Sequence, residues 1–214
     1  GGVFCGFFYP CVARILSCNS AKNSVFRSRL HREHRMRKSI IVVLATLVFA
    51  VIHAQDKKIQ QIRKDYNELK VSIAQLTSGG SAGRGLFCVT LDNNPYGASY
   101  PAVGSYHTTT QFYYEPYEGR APQLRMAIEH YAAANQKMYT EVLYRENRPA
   151  FVFLKNNYDG DDDRRLYLEG DQIIQYSENN AVKPYPSDDD RRTNLIEYAE
   201  VLLKQFKAIK GYDR

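Results

Sequence analysis

The sequence predicts an α+β domain: an antiparallel β meander with an N-terminal and a C-terminal amphipathic helix packed on the sheet. Three observations lead there. Ile59, Ile62, Tyr66, Leu69, Ile73 and Leu76 recur at alternating three- and four-residue steps on an otherwise polar segment. A run of short segments rich in Thr, Val, Ile, Tyr and Phe follows, broken by Asn, Gly, Asp and Pro. A second helical stripe closes the chain. Helical spacing puts one apolar stripe on each helix, and a stripe needs a surface to bury it.

Ahead of these elements stands "MRKSIIVVLATLVFAVIHAQ", residues 36–55. Arg37 and Lys38 are followed by an uncharged run and then small residues, the order that export machinery and its peptidase read. The run from Ser39 to Ala54 is shorter than the ~20 apolar residues of a spanning helix. Residues 36–55 are therefore expected to be a signal peptide, cleaved after Ala54 or Gln55. The competing reading is an uncleaved anchor, which would be the protein's only link to a membrane. Residues 1–35 have no periodic pattern and one acidic residue, Glu33. They are expected to be a disordered, non-native upstream extension, with Met36 as the biological start; an organelle transit peptide is the rival account.

Removal of this leader changes the charge. The chain is +6 as a whole, but residues 56–214 hold 21 basic and 22 acidic side chains, a net of −1. The basic excess belongs to the leader, so nucleic acid is not an expected partner. Of four cysteines only Cys88 remains beyond it, which excludes an intramolecular disulfide in the exported protein. No cysteine follows the apolar run to accept a lipid, and the product is expected to be periplasmic or extracellular.

Residues 56–214 suit a single domain with its own core. Its first helix is expected over 56–78, with packing on its own sheet preferred to a coiled-coil dimer. A glycine-rich connector, 79–85, ends it. The meander is expected over 86–186, through "LFCVTL", "SYHTTTQFYY", "QLRMAIEHYAAA", "QKMYTEVLYRE", "PAFVFLKNN", "RRLYLEG" and "QIIQYSE". Two-residue breaks such as Asn147-Arg148 and Gly170-Asp171 read as tight turns. Residues 122–134 also fit a helix, but strand is preferred. The closing helix is expected over 187–214, with Ser187 and Asp190 at capping-box spacing, lysines near its end and Gly211 as terminator. Both helices are expected on one face of the sheet, each burying one side.

Candidate sites are few. Asp159, Asp161 and Asp163 have the alternate spacing of a calcium loop, but Arg164 and Gly170 stand where that loop needs Gly and Glu, so a solvated acidic turn competes. His107 and His130 are the only histidines beyond the leader, and no nucleophile or metalloprotease motif organises them. Cys88 with a histidine is conceivable as a thiol pair of a small hydrolase, while a buried, inert thiol is the simpler reading. Tyr113, Tyr114 and Tyr117 cluster in "QFYYEPYEG" and are the candidate binding residues, because tyrosine joins a flat apolar body to a polar tip. Half-buried sheet packing is the alternative for them. No cofactor is expected.

The leader ending "HAQ", the helix "IRKDYNELKVSIAQ", and the meander units "YTEVLYRENRPAFVFLKNN" and "RRLYLEGDQIIQYSENN" together resemble uncharacterised secreted or periplasmic proteins of Gram-negative gut anaerobes. The resemblance implies export and a meander, and no activity. The function expected is that of an exported, non-enzymatic binding protein, its partner an envelope or extracellular protein or peptide. A thiol enzyme using Cys88 and an envelope protein that self-associates through the first helix are the alternatives. A monomer is expected, with a dimer through that helix as the other outcome.

Overall fold

The computed structural model describes residues 53–79, 85–101, 104–133, 136–157, 162–186 and 194–211. The chain divides into two compact units, Gly1–Ala54 and Gln55–Arg214. The expected extension, and the signal peptide up to residue 52, lie outside the described residues. The second unit carries the fold.

Helix α1 covers 53–77 and helix α2 covers Leu195–Lys210. Between them lie β1 (Phe87–Asn93), β2 (Ser99–Tyr100), β3 (Gly104–Tyr117), β4 (Arg120–Ala133), β5 (Gln136–Arg145), β6 (Arg148–Asn156), β7 (Asp162–Glu169), β8 (Gln172–Glu178) and β9 (Ala181–Lys183). The sheet order is β1-β3-β4-β5-β6-β7-β8-β9, with β2 paired to the start of β3. Every pairing is antiparallel, so the expected α+β meander is the fold. The ambiguous segment 122–134 is strand as far as Ala133.

The helices do not share a face. Ile59, Ile62, Leu69 and Ile73 of α1 are buried with Tyr113, Met126, Leu143, Phe151 and Tyr167. Leu195, Ala199, Leu202 and Phe206 of α2 are buried with the alternate residues of the same strands, Phe112, Ala127, Val142, Val152 and Leu166. Neighbours along a strand point to opposite sides, so the sheet is the middle of three layers. The reason is in the strands themselves. Met126 to Glu129, Glu141 to Tyr144 and Leu166 to Leu168 are consecutive buried runs, not alternating ones. A strand apolar on both sides needs a cover on both sides. Fully burying a side chain such as Ile62 contributes about 1.5–3 kcal/mol, and the α1 stripe is spent in this way on its own sheet.

Three local expectations shift. The turn expected at Asn147-Arg148 sits one residue earlier, with Glu146 and Asn147 at φ 52° and 57° between the paired Arg145 and Arg148. Arg148 precedes Pro149, which disfavours compact backbone there and leaves it in the strand. The closing helix begins at Leu195 and not near 187: Asn194 caps it, its side chain accepting the Glu197 N–H at 3.1 Å. Ser187 and Asp190 lie outside the described residues. Gly211 ends the helix as expected, at φ 73°. The third shift concerns β1, the sheet's edge, where all but one residue are exposed and Cys88 with them.

Candidate functional site

Helix α1 lies over one half of its sheet face. Lys58 reaches Glu169 at the end of β7, Tyr66 packs edge-on against Phe151 of β6 at 5.1 Å, and Arg145 at the end of β5 pairs with Asp65. Along the other half, towards the opposite ends of β3 to β8, the described sheet side chains line two depressions.

The first is a cleft of about 540 Å³ between α1 and strands β6 to β9. Phe151, Phe153 and Tyr167 give it an aromatic wall, because residues two apart on a strand share a face. Arg165, two before Tyr167, stands over the Phe153 ring at 5.2 Å from its centroid. Arg63 from α1 stands over Tyr167 at 5.4 Å, its Nε donating to the phenol oxygen at 3.1 Å. Gln175 and the buried Ser177 of β8 complete the wall on the sheet side.

Beside the cleft sits a buried carboxylate. Glu141 is 2% exposed, accepts hydrogen bonds from the Tyr66 and Tyr139 hydroxyls, and pairs with Lys70. Burial, and then the glutamate beside them, push the Tyr66 and Tyr139 phenols well above the usual tyrosine range. They stay protonated and serve as donors, which suits a structural clamp between α1 and β5.

The second depression, about 690 Å³, holds His107, His130, Tyr139, Lys137 and Lys155. His107 Nε2 is 2.6 Å from Asp92 Oδ1 of β1, and the His130 ring lies 4.8 Å from that of Tyr139. Both histidines therefore line one surface, as nothing in their sequence spacing foretold. Among the described residues no group of three His, Cys, Asp or Glu side chains is placed to hold a metal ion.

The structure does not gather the other sequence candidates. Tyr113 is 2% exposed and belongs to the α1 core, its phenol pushed up to about 12 by burial and by neighbouring Cys88. Tyr114 points to the other face, packed on Phe206 at 5.4 Å and bonded by Lys210. Tyr117 is exposed at the strand end, bonded to Glu115. The three tyrosines thus form no common binding surface. Cys88 lies opposite Tyr113, and its sulfur is 4.0 Å from the Thr90 hydroxyl. His107 is six residues back along β3 from Tyr113, about 20 Å at ~3.3 Å per residue, and His130 on β4 is level with Thr109, about 13 Å back along the strand, so neither histidine lies beside Cys88. Asp159 and Asp161 lie outside the described residues; Asp163 is paired with Arg165 at 3.2 Å.

The residues that sequence reasoning missed are Arg63 and Arg165 with their rings. Phe151/Phe153 and Arg165/Tyr167 carry a period-two signal, yet only knowledge of which face α1 leaves open turns it into a site. No protein family, curated protein or solved structure matches the chain. Among the described residues no helix is long and apolar enough to cross a membrane.

Proposed function

We propose that this protein is an exported, non-enzymatic binding protein of the periplasm or extracellular space, and that its ligand occupies the cleft between α1 and β6 to β9. The observation that carries the binding half is the cleft itself: an open, aromatic-walled depression of about 540 Å³ with guanidinium, amide and hydroxyl groups at its rim. Small-molecule sites are typically clefts of ~300–1,000 Å³ with an apolar lining and a few directed polar groups. The export half rests on the signal-like order of residues 36–55 and on the near-neutral charge of residues 56–214.

The test is mass spectrometry of the chain expressed from Met36 in a Gram-negative host. A periplasmic product that begins at Gln55 or Asp56, with a non-covalent adduct that the cleft-filling Ser177→Phe variant lacks, is the expected outcome. Full-length chain held in the membrane overturns export. An adduct that survives Ser177→Phe, or none at all, overturns binding at this cleft.

A further inference from the structure

Among the described residues, two guanidinium groups and no carboxylate line the cleft between α1 and β6 to β9, and the rest of its polar lining is uncharged. Both guanidiniums are positioned before any ligand arrives. Arg63 is fixed by the Tyr167 ring and hydroxyl; Arg165 by the Phe153 ring and by Asn180, whose Oδ1 accepts from Nη1 at 2.7 Å. Such ordering removes part of the entropy cost of binding.

Their charges are not equally available. Arg165 already shares Asp163, whereas among the described residues no ion pair involves Arg63. The buried Glu141 behind Tyr66 is answered by Lys70. Among the described residues, one uncompensated cation therefore faces the cleft. That balance suits a single negative charge better than a phosphate dianion. A guanidinium also presents a planar fork that matches a carboxylate. Beside it the half-buried Phe153, with Arg165 over part of its ring, supplies the accessible aromatic surface of the wall, while Phe151 is packed beneath Tyr66 and Tyr167.

We infer that the cleft recognises a small aromatic carboxylate, its carboxylate on Arg63 and its ring against Phe153. The inference rests on the reading of this cleft as the binding site and adds the chemical class of the occupant. Arg63 selects for the charge, and the aromatic wall selects for the ring. Arg165, held by Phe153, Asn180 and Asp163, forms the β7 side of the wall.

Isothermal titration at low salt with 2-naphthoate, 2-naphthamide, acetate and 2-naphthyl phosphate tests it on the purified protein. The naphthoate is expected to bind, the neutral amide about tenfold or more weaker, as the loss of one charge-assisted hydrogen-bond pair predicts. Acetate, without a ring, is expected to bind weakest. Arg63→Gln keeps a good helix former on an exposed position of α1 and is expected to remove the preference for acid over amide, with far-UV circular dichroism unchanged. Equal affinity for amide and acid, an unaltered preference in Arg63→Gln, or no naphthoate binding overturns the inference. Tighter binding of the naphthyl phosphate would also overturn it and would point to a dianion instead. Each of these results leaves the adduct and export results of the mass measurement standing, so the ligand class and the binding reading fail separately.

Discussion

The two faces of the sheet solve the same packing problem with different chemistry. On the α2 face the helix, with Phe112, Val142, Val152 and Leu166 beneath it, forms a continuous apolar core, and Tyr144 sends its hydroxyl into the helix to donate to the Ala199 carbonyl at 2.7 Å. On the α1 face the helix seats its stripe over one half, and the remaining half presents arginine, histidine, lysine and aromatic side chains. Each face also buries one glutamate under a helix tyrosine: Glu129 under Tyr198, and Glu141 under Tyr66. The lesson is a division of labour across one sheet. The α2 face buries the continuous apolar core, with a depression of about 630 Å³ only at its edge beside Arg148, Leu168 and Leu203, whereas the α1 face carries an aromatic-walled cleft between helix and sheet.

Alkali is expected to have the largest effect, because it acts on both faces together. The Tyr144 and Tyr198 phenols on the α2 face, and those of Tyr66 and Tyr139 on the α1 face, are all raised above the ordinary value, first by burial and then by a nearby acid or phenol. A group whose folded pKa is raised binds its proton more tightly in the native state. Stability is thus intact below the unfolded value, about 10 for tyrosine, and falls as the pH rises above it, when the unfolded chain binds fewer protons. Phenolate absorbance near 295 nm and circular dichroism are expected to change together above that pH, beginning with the less buried α1-face phenols. Exposed tyrosines such as Tyr96 and Tyr117 ionise without unfolding, so the readout is the absorbance lost on Tyr66→Phe, Tyr139→Phe, Tyr144→Phe or Tyr198→Phe. If that absorbance appears while the dichroism holds, these hydroxyls are not sealed.

Truncations of one large side chain per helix come next in size. Phe206, 1% exposed and within ring contact of Phe112 and Tyr114, is expected to cost about 3–5 kcal/mol as Phe206→Ala. Ile62, equally buried but lining the open cleft, is expected to cost about 2–3 kcal/mol as Ile62→Ala, at the low end for such changes because the site can relax towards solvent. Urea unfolding of both variants measures the difference. Equal losses would mean that the α1 face is as tightly sealed as the other.

Much of this architecture was legible in sequence, for physical reasons that vary along the chain. The α1 stripe and the meander follow from periodicity, which reports local geometry directly. The side of the sheet that each helix takes does not follow, because a stripe says that a helix must be covered and not by what. The consecutive buried runs in β4, β5 and β7 held that information, though Glu129 and Glu141 within two of them masked it as polarity. The site was less legible still. Tyr113 and Tyr114 are neighbours in sequence and lie on opposite faces, while Arg63 and Tyr167 are far apart in sequence and touch. Clustering along the chain therefore misled, and only the register of β6 with β7 brings Phe151 and Phe153 beside Tyr167 and Arg165.

The two buried glutamates allow the smallest and most discriminating test. Among the described residues Glu129 is held by hydroxyls alone, from Tyr198 and Thr110, whereas Glu141 keeps Tyr139 and Lys70 if Tyr66 is removed. A hydrogen bond to a charged group contributes roughly 1.5–3 kcal/mol, and a buried acceptor left short of partners costs the larger share. Tyr198→Phe is accordingly expected to destabilise by about 2 kcal/mol and Tyr66→Phe by about 1 kcal/mol. Chemical denaturation curves read the ranking. The reverse order would mean that the α1 clamp, at the edge of the proposed ligand cleft, carries stability that the apolar α2 face does not need, and the division of labour between the faces would fail. The expected order leaves Glu141 as the carboxylate whose surroundings tolerate change, which is what a helix bordering a binding cleft requires.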